Sequence, residues 1–274
     1  MQPGDVAAAA ICSAAAFDVD LSEESSSRRW HERVAYPLTV DPAGAFVAER
    51  GGRLIGVAQA LRRERLWQLS LLTVEPTVQG AGAGRALMAR ALAYDEGTDA
   101  GLIVSSNDPR AMRLYARAGF AVLPTLQTEG RLDRSALPAP DPAVIDGDRE
   151  DLEELAAISR EIRGAPHTKE LEYALDRGGR LLRLRNRGFA VVLPDWCVWL
   201  LVARDEDSAR SLLWSALAAV GDSDRSLVRW LTAGQQWAVQ LLVDAGLQLS
   251  AYGALCVRGD PGPLAPFVPS GPFA

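Results

Sequence analysis

The residues best suited to do chemistry form a glycine-rich loop after an apolar stretch. Gly80, Gly82 and Gly84 alternate with alanines a few residues after Pro76, and Arg85 follows immediately. Small residues let successive backbone N–H groups point into one concavity. A helix that begins there adds unpaired N–H groups and the positive end of its dipole. Such a loop is suited to hold a phosphate or pyrophosphate, with Arg85 adding a charged contact.

Three other interpretations of this loop remain open but fit less well. A dinucleotide-binding fingerprint places its glycines after the first strand of a parallel βαβ unit, with an acidic residue about 20 positions later. Here two predicted helices and a hairpin come first, and the spacing departs from that fingerprint. A Walker loop requires Lys followed by Ser or Thr, and this loop has no Lys. The third interpretation is a purely structural glycine turn.

A second candidate lies further along the chain, in a helix with clear boundaries. Asp108-Pro109 is a typical helix start, Gly119 is a typical helix end, and Tyr115 lies between them. Taken alone, Tyr115 is most simply an aromatic ring that packs on a sheet.

The two segments resemble motifs A and B of the GNAT N-acetyltransferases. Motif A of that family, [RQ]-x-x-G-x-[GA], cradles the pyrophosphate of acetyl-CoA, and it is matched by Gln79-x-x-Gly82-x-Gly84. In the family, the preceding strand splays from its neighbour and binds the pantetheine through main-chain groups. By position, the resemblance implies that acetyl-CoA contacts Leu72, Val74, Gln79, Gly80, Gly82, Gly84, Arg85 and Asn107.

Motif B of the family starts a helix with Asn and places Leu-Tyr before Gly-Phe. Leu114-Tyr115 and Gly119-Phe120 match it, which implies that Tyr115 is the general acid toward the CoA thiolate. The usual Asn position holds Asp108 here, and Asn107 lies one residue earlier. The resemblance covers about residues 1–135.

The base that would deprotonate the acceptor amine is not assigned by the sequence. In relatives the third strand often carries an acid, but its inner positions here are Gln68 and Ser70, and Glu75 follows the strand beside Pro76. Further candidates on the acceptor side are Glu23, Glu24 and His31.

Hydrophobic periodicity and Pro/Gly punctuation predict the elements that position these residues. In the first half, helices are predicted at 6–17, 23–34, 85–93 and 109–118, and strands at 45–49, 54–62, 67–74 and 102–105. In the second half, helices are predicted at 151–163, 169–176, 206–220 and 235–245, and strands at 181–185, 189–193, 196–203, 226–231 and 251–258. The matching order predicts a duplicated fold.

The expected fold class is α/β (α+β), with two tandem GNAT-like domains, each a mixed, mostly antiparallel sheet with flanking helices. The predicted segments are an acetyltransferase domain with the acetyl-CoA site (1–136), a Pro-rich linker (137–142), a degenerate GNAT-like domain (143–260) and a Pro-rich tail (261–274).

The second half is expected not to bind CoA. The counterpart of the glycine loop contains no glycine, and Asp205, Glu206 and Asp207 would repel a pyrophosphate. We expect this half to pack against the first and to shape the acceptor site or a dimer surface. Its tryptophans are core residues or line an acceptor pocket: Trp196, Trp199, Trp214, Trp230 and Trp237.

Composition narrows the class of protein. The 274 residues are 48% hydrophobic and 23% charged, as in soluble globular proteins, and the net charge of −6 argues against a nucleic-acid partner. Three distant cysteines and two histidines provide neither a disulfide framework nor a metal site. With no membrane segment apparent, a cytoplasmic protein is expected.

The leading hypothesis is an acetyl-CoA-dependent N-acetyltransferase that acts, as a monomer or a homodimer, on a small-molecule or peptide amine. Two alternatives stay open: a non-catalytic acyl-CoA-binding or sensor protein, and a mycothiol-synthase-like tandem acetyltransferase. Against the latter, the glycine loop lies in the first half rather than the second.

Overall fold

The structure is a computed structural model that describes residues 1–193, 196–220 and 226–273. It divides into two compact units, Met1–Asp99 and Ala100–Ala274. This boundary differs from the one expected at the Pro-rich linker 137–142, which lies inside the second unit. The division into sequence domains stays a prediction.

The first unit is a three-stranded antiparallel sheet with three helices. Its helices are α1 (Val6–Ala16), α2 (Glu24–Val40) and α3 (Ala83–Leu92), and its strands are β1 (Ala45–Arg50), β2 (Arg53–Arg63) and β3 (Leu66–Val74). Gly51 and Gly52 make the β1–β2 turn with φ of +58° and +76°, the left-handed values that such tight hairpins require. The predicted elements of this unit are confirmed, except that α2 continues past its predicted end at residue 34 to Val40, with Pro37 inside the helix.

A bulge interrupts the β2–β3 ladder. Gln59 pairs with Leu71 and Ala60 pairs with Leu69, so Ser70 is the extra residue on β3. A bulge bends its strand and turns local main-chain groups away from the ladder. The Arg33 guanidinium of α2 donates to the carbonyl oxygen of Ser70, which ties this helix to the bend.

Over its described residues, the second unit contains strands of two antiparallel sheets and five α-helices. The helices are α4 (Pro109–Arg117), α5 (Leu152–Arg163), α6 (Thr168–Asp176), α7 (Glu206–Ala219) and α8 (Gln236–Asp244). The strands are β4 (Ala100–Ser105), β5 (Ala121–Gly130), β6 (Ile145–Asp146), β7 (Arg180–Leu184), β8 (Gly188–Leu193), β9 (Trp196–Ala203), β10 (Ser226–Leu231), β11 (Gln248–Arg258) and β12 (Phe267–Val268). One sheet contains the order β4-β11-β5-β10, and the other has the order β12-β9-β8-β7-β6.

The strands before and after the linker are interleaved in the first of these sheets. β11, from the end of the chain, pairs with β4 on one side and with β5 on the other. β5 in turn lies between β11 and β10. The two halves of the chain therefore share one hydrogen-bonded sheet within this unit.

The sequence analysis predicts no strand at 121–130, where β5 lies. Pro124 in the middle of this segment argues against a central strand because proline cannot donate to a ladder. β5 nevertheless is a central strand, with a bulge in its partner next to the proline: Ala251 pairs with Leu126 and the next pair is Ala254 with Pro124, so Tyr252 and Gly253 lie opposite Thr125.

Cleaving the linker is expected to leave the two halves together. A protease site introduced at 137–142 would be cut in the folded protein, because most of this stretch is exposed. The two fragments should co-elute in gel filtration at the size of the intact chain, because the interleaved ladders of β5 and β11 remain. Separation of the fragments without denaturant would contradict this arrangement.

Candidate active site

The end of β3 directs alternate main-chain groups away from β2. Glu75 N donates to Ile55 O at 2.9 Å, and the ladder pairs Thr73 with Val57 and Val74 with Gly56. In an antiparallel pair, residues alternate between those bonded to the partner strand and those whose N–H and C=O point the other way. The main-chain groups of Leu72 and Val74 therefore point away from β2, as strand contacts to a ligand require.

The loop after β3 has the backbone shape that its glycines predict. Gly80 and Gly82 have φ of +85° and +93°, a left-handed region that other residues rarely adopt. The Gln79 amide donates to Val74 O at 2.9 Å and so ties the loop back to the strand. Ala86 N donates to Gly82 O at 3.0 Å, which makes Gly82 the residue that precedes the first turn of α3.

The beginning of α3 is suited to an anion. The N–H groups of residues 83–85 come before the first bond within the helix and have no partner there. Gly84 has space around it, since an added Cβ would lie no closer than 3.6 Å to Val74. The exposed Arg85 side chain brings its Nη2 to 3.6 Å from the position a Cβ would take on Gly82. The glycine loop, the N-terminal end of α3 and the Arg85 guanidinium are therefore together suited to bind a phosphate group.

Tyr115 lies on α4 in the second unit and is almost fully buried, with 5% of its surface exposed. Desolvation by burial raises its pKa well above the usual range, and the negative forms of Cys256 and Asp108 would add to the rise. Burial also raises the pKa of Cys256 to about 11. Tyr115 therefore keeps its proton at any physiological pH.

Asn107 and Asp108 have different roles in the loop before α4. Asp108 caps the helix by accepting from Arg110 N at 2.9 Å, as its sequence predicts. The Asn107 side-chain oxygen accepts from the backbone N–H of Gly253 in β11. Asn107 and Tyr115 are thus brought against the same strand, while the glycine loop belongs to the first unit.

Residues of the second half surround the loop before α4. The sequence analysis named Trp230 as a core or pocket residue but did not predict that it contacts this loop. Trp230 has φ of +59°, and its indole N–H donates to Ser105 O at 3.1 Å. Tyr252 lies 5.9 Å from Trp230 and 4.4 Å from the Arg229 guanidinium. Gly253 is the one sequence signal for this contact, because a Cβ there would lie 2.0 Å from Ser105 O.

The residues considered as the base for the acceptor amine lie in different surroundings. Glu75 forms an ion pair with Arg53 and accepts from Thr77 at 2.9 Å. Glu23, Glu24 and His31 are exposed. Gln68 and Ser70 are buried, and the Ser70 hydroxyl has no hydrogen-bond partner in the described part of the chain.

The second half has no counterpart of the glycine loop. Asp205 caps α7 by accepting from Ser208 N at 2.9 Å, which places a carboxylate where an anion would sit. Trp199, Trp230 and Trp237 are buried, and Trp214 packs partly buried against the core. The side chain of Trp196 lies outside the described residues.

All three cysteines are buried, as small apolar residues would be. Over residues 1–193, 196–220 and 226–273, no cluster of three or more His, Cys, Asp or Glu could hold a metal ion. Over the same ranges, every helix is too short or too polar to cross a membrane.

Comparison with known sequences relates the first half to one family. Residues 12–120 match the model of the acetyltransferase (GNAT) family. A mycothiol acetyltransferase of Streptomyces coelicolor is 38% identical over 125 residues, which cover 43% of this chain and 40% of that protein. One from Thermomonospora curvata is 38% identical over 84 residues, or 29% and 28% of the two chains. This chain therefore spans less than half the length of these relatives.

Solved structures extend the likeness to the whole chain, at the level of fold. A putative acetyltransferase from Pyrococcus horikoshii has a TM-score of 0.82 and 16% identity, covering 100% of this chain and 94% of that one. A tandem GNAT protein from the clavulanic acid biosynthesis pathway has a TM-score of 0.59 and 13% identity, covering 93% and 95%. The predicted α/β fold with two tandem GNAT-like parts is confirmed.

Replacing Gly253 with Ala is expected to destabilise the protein far more than replacing Gly51. Both have left-handed φ, +60° and +58°, so each substitution costs about 1–2 kcal/mol in backbone strain. Only at Gly253 does the new Cβ collide with a backbone oxygen, which brings the total to about 3 kcal/mol or more. Thermal unfolding of the two variants measures the difference, and equal losses would refute the contact with Ser105.

Proposed function

Residues 12–120 belong to the GNAT acetyltransferase family, and on that premise we propose that the chain is an acetyl-CoA-dependent N-acetyltransferase. The observation that carries the proposal is the loop from Gln79 to Arg85, whose shape and charge suit a pyrophosphate. The acetyl group would pass directly to a primary amine on a small molecule or a peptide. We place the protein in the cytoplasm.

Different groups of β3 and of the loop would bind different parts of the co-substrate. Main-chain groups of Leu72 and Val74 would hold the pantetheine arm along β3. The loop amides at Gly80, Gly82 and Gly84, with the Arg85 guanidinium, would take the phosphates. Holding the thioester in one place supplies much of the rate enhancement, since a direct transfer depends on proximity and orientation.

Tyr115 would donate the proton that the CoA thiolate needs as it leaves. Its burial supports this role, because a raised pKa keeps the phenol protonated and available as a donor. Asn107 would act beside it, with its side-chain oxygen held by Gly253 and its amide turned to the ligand.

The ammonium group of the acceptor would first lose a proton to water, and the free amine would then attack the thioester carbonyl. Collapse of the tetrahedral intermediate would break the C–S bond as Tyr115 gives its proton to sulfur. The amide nitrogen would lose its second proton to solvent, and water would return a proton to Tyr115.

A non-catalytic acyl-CoA-binding protein is the second candidate. It is favoured by the surroundings of the acceptor side: Gln68 and Ser70 are neutral, and Glu75 is engaged with Arg53. An enzyme with no base near the acceptor amine would transfer the amine proton to water. A mycothiol acetyltransferase activity is the specific form that the curated relatives suggest.

Calorimetric titration is expected to give one acetyl-CoA per chain, and Gly84→Glu should abolish this binding. The substitution is tolerated structurally because Gly84 has space and a carboxylate is stabilising in a first helical turn. It places a negative charge where the phosphates would lie. Gly84→Gln has nearly the same shape without the charge and should retain most of the affinity.

Two outcomes of the titration would count against the assignment. An equal loss of acetyl-CoA affinity in Gly84→Glu and Gly84→Gln would mean that the bulk of the side chain, rather than its charge, prevents binding. No binding of acetyl-CoA to the unaltered chain would refute the proposed function. Two equivalents per chain would assign a working site to the second half as well.

Tyr115→Phe is expected to lower kcat by about a hundredfold or more while the KM for acetyl-CoA stays nearly unchanged. Because burial raises the pKa of Tyr115, the proton is lost only at higher pH than for a free phenol. The unaltered enzyme should therefore show no loss of kcat from this group up to about pH 10. Unchanged turnover in Tyr115→Phe would remove Tyr115 from the mechanism, and binding without turnover in either protein would support the acyl-CoA-binding alternative.

A further inference from the structure

The described part of the C-terminal tail, residues 261–273, lies along the second sheet in an extended form. Its β12 pairs with the edge of β9, where Phe267 lies opposite Val202 and Val268 opposite Leu201. Ala203 N donates to Pro266 O at 3.2 Å, which continues this contact by one residue. The same two-residue strand lies against β10. The tail therefore adds itself to a strand edge as a bound peptide would.

The buried side-chain amide of Gln235 bonds twice to the main chain of the tail, in addition to the backbone bond from Leu264 N to Ile162 O at 2.9 Å. Gln235 is 1% exposed; its Nε2 donates to Leu264 O at 2.9 Å, and its Oε1 accepts from Phe267 N at 3.0 Å. Trp237 Nε1 also donates to Oε1 at 3.0 Å, and because an indole N–H can only donate, this contact fixes which end of the amide is oxygen. The fourth contact, from Nε2 to Thr232 Oγ1, is 3.3 Å long. Half of the hydrogen-bonding capacity of Gln235 thus serves the tail.

Two aromatic side chains anchor the tail in the rest of the unit. Phe273 is fully buried, with ring centroids 5.3 Å from Tyr173 and 5.9 Å from Trp199. Phe267 lies 6.0 Å from the ring of the buried His167. Between them Gly271 lies so close to Trp230 that a Cβ would come within 2.6 Å of the indole. Aromatic side chains held in pockets, together with hydrogen bonds to the main chain, are features of peptide recognition.

We propose that the open edge of β9, with Gln235 and these aromatic rings, is a binding site for an extended, proline-containing apolar peptide. The chain fills this site with its own tail. Five prolines in the tail favour an extended conformation before binding, which lowers the entropy lost on docking. The proposal is independent of the proposed acetyltransferase function. While the tail is bound, no other extended ligand can use this edge.

The first test separates the tail after folding. A protease site inserted after the exposed Gly259 is cut in the purified full-length chain, and the nicked protein is run in gel filtration. The tail fragment is expected to remain bound. A labelled synthetic peptide of residues 260–274 is then added in excess, and it should replace the cut tail and bind with one equivalent per chain.

Variant peptides show whether the named contacts carry the binding. A peptide with Phe273→Ala should compete about a hundredfold less well, because a buried ring is lost. Gly271→Ala should also compete poorly, since its methyl group meets Trp230. Pro263→Ala is the matched control and should compete like the natural peptide, because Pro263 is exposed. Equal competition by all four peptides would overturn the proposal, as would unfolding of the rest of the chain when the tail is displaced.

A measurement on the uncut chain keeps the test independent of cleavage. Gln235→Leu removes the two side-chain hydrogen bonds to the tail, and hydrogen exchange at the Phe267 amide should accelerate by about tenfold or more while β8 amides keep their protection. If tail and β8 amides instead exchange at one common rate in both proteins, the tail is part of the core and not a ligand. Acetyl-CoA binding, measured on the same samples, should be unchanged by Gln235→Leu. Its absence in every sample would refute the proposed function alone.

Discussion

The second unit depends on the antiparallel pairing of strands from opposite ends of the chain. β11 lies between β4 and β5. The loop that carries Asn107 and the helix that carries Tyr115 therefore rest on a strand that belongs to the last thirty or so residues of the chain. Most backbone groups of a central strand are paired inside the sheet, and a buried backbone group left unpaired costs about as much free energy as a lost hydrogen bond. The loop before α4 and Tyr115 therefore depend on a strand from the second half of the chain.

A bulge in β11 accounts for its contact with the loop before α4. It lies next to Pro124 and places Tyr252 and Gly253 opposite the single residue Thr125. The N–H of Gly253 is bonded to the Asn107 side chain, and Gly253 lies so close to Ser105 that a side chain has no space. The bulge is therefore where the second half of the chain contacts the loop of the first.

The sequence allowed the local parts of this protein to be predicted and left out the distant ones. Glycine spacing predicted the loop at Gly80 and Gly82, because φ above zero is a property of single residues, and Asp108-Pro109 predicted a helix start for the same reason. Periodicity located nearly every helix and strand. β5 was missed because Pro124 makes a central strand improbable until the bulge in its partner is known. The contact of Trp230 with Ser105 was not predicted, although Trp230 itself was singled out, because register between strands far apart in sequence has no local signal.

Two features of the second half determine what it can bind. Asp205 at the start of α7 uses the helix N–H groups that a phosphate would need, so charge alone disfavours an anion there. The tail covers the open edge of β9, and without it the amide of Gln235 would lose one donor contact and one acceptor contact inside an apolar region. A buried amide that loses half of its hydrogen bonds destabilises the folded state, so the site is stable only when an extended peptide segment occupies it.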